Sequence, residues 1–139
     1  MFATLAALFF TVILMVTTAY FLMGGLPLLI LQHDTPLDAR FVRSFFDVYY
    51  KAAFFAATGA AVCYALSSRP AFALGNAGVA ALVLLLRAKL IAAMAQLGGL
   101  IQQGEVQAIR RFRRVHGTAL AMNLVQLIGL VWGLIQISL

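Results

Sequence analysis

The two histidines are the residues whose type and position in this chain best suit chemistry. His116 stands seven positions before Asn123, and Gln126 follows three positions later. On a helix, this spacing places His116 and Asn123 on one face, with Gln126 close to that face. An imidazole at the edge of an apolar segment can ligate haem or another metal, or exchange a proton near neutral pH.

Two interpretations of this polar stripe stay open at the level of sequence. A polar side chain within an apolar helix is costly unless it faces other helices, so the stripe fits hydrogen bonds that fix a helical bundle. Alternatively, His116 and Asn123 belong to a cofactor site together with His33 and Arg87. Haem held by both histidines is one form of this hypothesis, and quinone or a metal are others.

The remaining polar residues are explained without a catalytic role. Asp34 and Asp38 suit the start of a helix better than a metal site with His33. The single cysteine, Cys63, can form no disulfide within the chain and suits a small apolar position. No nucleotide-binding loop, Ser-His-Asp order, CxxC or HExxH motif is present. We therefore assign no catalytic residue and no metal site, and an enzymatic role is not indicated.

Composition determines the kind of structure that must position these residues. The 139 residues are 64% hydrophobic and 10% charged, with a formal net charge of +6. A soluble domain of this size could not bury so much apolar surface, since soluble proteins are about 45–50% apolar and about 25% charged. The sequence therefore predicts an all-α, integral membrane four-helix bundle that forms a single domain over residues 1–139.

Four apolar segments account for the predicted helices. The first is expected over 2–32, the second over 36–66, the third over 70–103 and the fourth over 105–139. The last two are about 34 residues long, or roughly 50 Å at the helical rise, which exceeds a hydrocarbon core of about 30 Å. We therefore expect the third and fourth helices to extend past the cytoplasmic face of the membrane.

Local signals support these boundaries. Thr35 suits an N-cap and Pro36 the first position of the second helix. Gly104 suits the end of the third helix, and Pro27 suggests a kink near the end of the first.

Two expectations concern side chains outside the polar stripe. Interfacial aromatic belts are predicted, and a ladder of alternating charges is expected on the second helix. The belts comprise Tyr49, Tyr50 and Trp132, and the ladder comprises Arg43, Asp47 and Lys51.

The distribution of basic residues predicts the orientation. Nine of the ten Lys and Arg residues lie near the turns at 33–38 and 103–106, and one, Arg69, lies near the opposite turn. The positive-inside rule places the basic side in the cytoplasm and both termini outside, which in a bacterium means the inner membrane. The basic cluster from Arg110 to Arg114 is expected to contact anionic lipid headgroups, and nothing indicates nucleic acid.

Small residues recur at helical spacing and predict close packing between helices. Alanine pairs stand at 52/53, 56/57 and 60/61 in the second helix, and Gly129 and Gly133 form a small-xxx-small step in the fourth. Such steps let helix backbones approach closely in lipid, either within one chain or between chains. The expected partners are therefore a second copy of this chain or the other subunits of a larger membrane complex.

The segment 109–124 is the most distinctive in the chain. It contains the pattern basic-Phe-x-x-x-His-Gly-x-x-x-x-x-Asn-Leu, in which Phe112, His116, Gly117 and Asn123 are the defining residues. This pattern resembles a motif of the transmembrane-protein-205-like family (DUF4149), and the anthrone-oxygenase-like family is a more distantly similar group. The resemblance implies a four-helix membrane plan with His116, Gly117 and Asn123 as signature positions. It implies no settled activity.

Three functions are compatible with these observations. The leading hypothesis is a non-enzymatic accessory or scaffold subunit, because the chain is small, lacks catalytic motifs and carries small-residue stripes. The second is a membrane redox or cofactor-binding protein that uses His116. The third is an exporter of small molecules or ions formed by an oligomer, since four helices alone enclose little pore.

Overall fold

The computed structural model describes residues 1–138, and these residues form helices joined by short turns. The all-α prediction is confirmed, and no strand occurs within 1–138. The helices follow one another as α1 (Phe2–Leu28), α2 (Pro36–Leu66), α3 (Pro70–Leu86), a π-helical turn (Arg87–Ile91), α4 (Ala92–Gln102) and α5 (Val106–Ser138). Leu139 lies outside the described residues, so the predicted end of the fourth helix is described only to residue 138.

The start of α2 and the turn before α5 agree with the local sequence signals. The Thr35 side chain accepts a hydrogen bond from the backbone N–H of Asp38 at 3.2 Å, and Pro36 occupies the first turn. Gly104 has φ +86°, a left-handed conformation that is costly for any residue with a Cβ. The N-cap and the glycine stop are therefore confirmed.

The first helix is shorter than predicted. Pro27 lies in the last turn of α1, and the helix ends at Leu28 rather than near residue 32. The backbone N–H groups of Leu29, Ile30 and Leu31 each donate to the carbonyl three residues earlier, so the chain tightens as it leaves the helix. This tighter turn brings His33 back toward the bundle.

The predicted third helix is divided by the π-helical turn at Arg87–Ile91. A π-turn closes hydrogen bonds from residue i to i+5 and widens the helix locally. The sequence between Val83 and Leu97 contains neither proline nor glycine, so no local signal marked the interruption. The prediction of one continuous third helix was therefore incomplete.

The second helix lies at the centre of the molecule. α2 packs most extensively against α1 and α3, and it also contacts α4 and the π-turn. Small side chains permit this close packing, since the alanines at 53, 57 and 60 are fully buried and Ala56 nearly so. The predicted alanine stripe is thus part of the surface by which α2 contacts its neighbours.

Within residues 1–138, three helical segments are long and apolar enough to cross a membrane: Phe2–Leu28, Pro70–Gln102 (α3, the π-turn and α4 together) and Val106–Ile137. α2 is long but less apolar, because its first half carries the Arg43, Asp47 and Lys51 charges. Large apolar side chains are exposed over the outer surface, as a lipid-facing surface requires. They include Phe9, Tyr20, Phe55, Leu74 and Trp132.

Candidate functional site

The polar core of the bundle begins at His33, in the connection between α1 and α2. His33 has φ +57°, which is uncommon for a residue other than glycine, and its side chain is fully buried. The tight turn after Pro27 places this residue against α5. A connecting loop usually exposes its polar residues, so a buried histidine here reflects specific contacts.

His33 and His116 contact each other directly, although 83 positions separate them in sequence. Nε2 of His33 lies 3.1 Å from Nδ1 of His116. Nε2 of His116 lies 3.2 Å from the Gly25 carbonyl oxygen of α1. The Leu29 N–H, which would normally bond the Gly25 carbonyl, donates to Leu26 instead. His116 therefore takes up a backbone acceptor that the tight turn leaves free.

The Gly25 carbonyl determines which ring nitrogens carry protons. A carbonyl can only accept, so Nε2 of His116 must be the N–H. Nδ1 of a neutral His116 is then an acceptor, and Nε2 of His33 must donate to it. By the same rule, Nδ1 of neutral His33 carries a lone pair and no proton. The two rings thus form a directed chain of hydrogen bonds that ends at α1.

The environment of His33 favours this neutral form. Burial lowers the pKa of His33 below its ordinary value of 6.5, and the Arg113 guanidinium lowers it further; the Leu31 carbonyl and the carboxylates of Asp38 and Asp34 oppose this effect. Nδ1 of His33 is buried and makes no hydrogen bond within the described part of the chain. A buried lone pair without a donor is the one unsatisfied group of this histidine pair.

Aromatic rings enclose the two imidazoles. The Phe46 ring of α2 packs edge-on to His116 at a centroid distance of 5.3 Å, and the Phe112 ring of α5 lies 5.4 Å from His33. Arg113 donates to the Leu29 carbonyl at 3.1 Å, which ties α5 to the end of α1. The enclosure excludes water from the pair and strengthens its hydrogen bonds.

The rest of the polar stripe continues along the buried side of α5. Asn123 is 1% exposed, and its Nδ2 has no hydrogen-bond partner among residues 1–138. Nε2 of Gln126 lies 3.1 Å from the Thr18 hydroxyl and 3.0 Å from the Tyr49 hydroxyl. The stripe therefore faces the bundle interior, and Gln126 links α5 to both α1 and α2.

Sequence reasoning missed several members of this polar core. Tyr49 and Tyr50 were expected in an interfacial belt, but both are fully buried, because they lie on the side of α2 that packs against the other helices. Thr11 also bonds a tyrosine of α2, with 3.1 Å between its hydroxyl and that of Tyr64. Thr11, Thr18 and Gly25 recur every seven residues on α1, and this period was the available signal.

Arg87 lies apart from the histidines. Its Nε donates to Oδ1 of Asp47 at 2.9 Å, and Nζ of Lys51 lies 2.6 Å from Oδ2 of the same carboxylate. Arg87 thus joins the π-turn to α2 and does not contact His116. Arg43 is not part of an ion pair in the described structure, so the predicted ladder is formed in part.

This geometry limits what the site can do. Both nitrogens of His116 are engaged, so ligation of haem by both histidines requires the pair to separate. A proton relay would end at the Gly25 carbonyl, which does not accept a proton near neutral pH. Among residues 1–138, no group of three or more His, Cys, Asp or Glu side chains is arranged to hold a metal ion. The atom that remains available is Nδ1 of His33, which can ligate a metal or accept a hydrogen bond.

Comparison with known proteins gives no relative. No family model, no curated protein and no solved structure matches the chain.

Proposed function

We propose that this chain is an integral membrane bundle of four transmembrane helices in a bacterial inner membrane. Three helices of sufficient length and hydropathy support this proposal. The second half of α2, residues 52–66, carries no charge; one side of it is buried against other helices, and Phe55, Val62 and Leu66 are exposed on the other, as expected of a helix that also contacts lipid. The excess of basic residues at one end supports an orientation with the His33 turn in the cytoplasm and both termini outside.

Within the membrane, we propose that the chain acts as a non-enzymatic accessory or scaffold subunit that associates with a second copy of itself. One observation carries this proposal: α3 and α5 barely touch, and a groove of about 260 Å³ separates them. Glycines line it on both helices. A Cβ added at Gly75, Gly129 or Gly133 would meet no atom within 4 Å, so these backbones are open to a neighbour.

The groove also offers polar contacts to a neighbouring helix. Oδ1 of Asn76 is buried and has no partner within residues 1–138, and Gln126 lines the same groove. Lipid tails cannot satisfy a carbonyl oxygen, whereas another helix can place its backbone close to the glycines and, once the half-buried Asn76 side chain turns toward the groove, a donor opposite its amide oxygen. A second copy supplies both, because a twofold interface presents the same surface on each subunit.

Leucine at the two α5 glycines should abolish this association. We expect the Gly129→Leu/Gly133→Leu variant to weaken dimerisation by about tenfold or more, since the new side chains fill the space that the neighbouring backbone needs. Dimerisation is measured by energy transfer between labelled chains in liposomes at increasing dilution in lipid. Gly117→Leu is the control, because it adds a leucine side chain to open space elsewhere on α5.

Three outcomes separate the alternatives. A monomeric wild-type chain would overturn self-association. A wild-type dimer that both variants leave intact would place its interface elsewhere. A different membrane protein that crosslinks to the groove and is displaced by the double variant would identify a heteromeric partner instead. An oligomeric exporter would share the proposed assembly, and transport in proteoliposomes distinguishes an exporter from a scaffold.

A cofactor-binding function is the second proposal, and the free Nδ1 of His33 favours it. A buried imidazole lone pair can ligate a metal or accept a hydrogen bond from a quinol. Asn123 lies two turns along α5 from His116, and its Nδ2, which has no partner among the described residues, could contribute a donor. We also propose kinship with the transmembrane-protein-205-like family through His116, Gly117 and Asn123.

Absorption spectra test the cofactor proposal. If His33 holds haem, detergent-purified protein should show a Soret band at near-stoichiometric level that shifts on reduction with dithionite. His33→Ala should remove this band, because it removes the imidazole nitrogen that makes no hydrogen bond within residues 1–138. Extraction followed by chromatography detects a colourless quinone, and elemental analysis detects a metal. Protein that carries none of the three contradicts the proposal.

A further inference from the structure

A second polar cavity lies outside the histidine site, between the first turns of α2 and the helix α4. Its volume is about 190 Å³. Arg40 and Arg43 line one wall, Gln102 contributes an amide, and Gly98 and Gly99 form part of the opposite wall. We infer that this cavity binds the phosphate group of an anionic ligand at the basic end of the bundle.

The charge of the cavity is uncompensated. Arg40 and Arg43 are three residues apart on α2, so both reach the same side of the helix. Asp47 lies one turn further along the same side of α2, but Arg87 occupies its Oδ1 and Lys51 its Oδ2. Neither Arg40 nor Arg43 forms an ion pair in the described part of the chain. Two guanidinium groups thus share a cavity that contains no carboxylate.

The shape of the cavity leaves room for a compact oxyanion. α4 approaches α2 closely at one point, where a Cβ added to Gly98 would lie 3.6 Å from the Cβ of Ala39. At Gly99 an added Cβ would meet nothing within 4 Å, so the absence of a side chain keeps the space open. Guanidinium groups bind phosphate through paired, charge-assisted hydrogen bonds, and Gln102 can donate another.

The position of the cavity limits the source of the phosphate. It opens beside the first turn of α2, where Pro36 lines it and the helix dipole favours an anion. This end of the bundle also carries the basic cluster of α5. The phosphate therefore belongs either to an anionic phospholipid headgroup or to a soluble phosphate ligand. The inference does not depend on dimerisation or on a cofactor at His33.

Binding measurements with a matched charge variant test the inference. The probes are short-chain phosphatidic acid below its micellar concentration, the equivalent phosphatidylcholine and inorganic phosphate, each added to the full-length protein in neutral detergent. Arg40→Gln/Arg43→Gln removes two charges from the cavity. Arg110→Gln/Arg111→Gln removes two charges from exposed positions on α5 and is the control. Circular dichroism establishes that both variants remain folded.

We expect the wild-type chain to bind phosphatidic acid at least about tenfold more tightly than phosphatidylcholine, and the cavity variant to lose about tenfold in affinity. The control should lose less than about twofold, as expected for distant charges that salt screens. Binding of inorganic phosphate with the same dependence on variant would identify a soluble phosphate as the ligand. Equal losses in both variants, or no binding of either phosphate probe, would overturn the inference.

Discussion

His116→Ala should lower the free energy of unfolding by about 2–4 kcal/mol, one of the two largest effects expected in this protein. The substitution removes two hydrogen bonds of α5, one to α1 and one to the turn between α1 and α2, and bonds of this kind are each worth about 0.6–1.7 kcal/mol within a membrane. It also leaves the Nε2–H of His33 and the Gly25 carbonyl buried without partners, and it opens a cavity beside Phe46. Unfolding in mixed micelles of increasing denaturing-detergent fraction measures the change.

A double-mutant cycle isolates the contact between the two rings. His33→Ala, His116→Ala and the double variant should show a coupling of about 1–2 kcal/mol, since the second substitution removes a partner that the first has already left unpaired. Thr118→Ala is the control, because this exposed threonine on α5 bonds only the Arg114 carbonyl of its own helix. Strictly additive losses at His33 and His116 would contradict a direct hydrogen bond.

The elements of this fold were largely predictable because their signals are local. Thr35 specifies the start of α2 because its side chain accepts a hydrogen bond from the Asp38 N–H, and Pro36 does so because its φ angle is fixed. Gly104 specifies a left-handed turn. None of these signals requires knowledge of the rest of the chain. The end of α1 was predicted less well, since Pro27 permits either a kink or a stop, and packing of the following turn against α5 decides between them.

The site was predictable in its members but not in its connections. Spacing alone placed His116, Asn123 and Gln126 on one face of a helix, and all three are buried there. His33 bonds His116, and Arg87 bonds Asp47 instead. This choice of partners depends on how the helices pack, which no local sequence pattern predicts. The tyrosines show the same limit. A tyrosine near charged residues is typical of a membrane surface. Only the packing of α2 against its neighbours shows that Tyr49 is buried.

Gly59→Val should destabilise the bundle by about 3 kcal/mol, because α1 and α2 cross closely at this glycine. A Cβ at Gly59 would lie 2.7 Å from two ring carbons of Phe10 and 2.9 Å from a third, closer than real Cβ contacts come. Overpacking of this kind typically costs about 1–3 kcal/mol, and the branched side chain of valine places the expected loss near the upper end. The detergent-unfolding measurement used for His116 applies here.

Relief of the clash distinguishes crowding from a change in helix propensity. Phe10→Ala should restore at least about half of the stability lost in Gly59→Val, since it removes the ring that the new side chain meets. Gly117→Val is the control, because a Cβ there meets no atom within 4 Å; we expect its effect to stay within about 0.5 kcal/mol. If Phe10→Ala added its own loss to that of Gly59→Val, the two helices would not cross at this point.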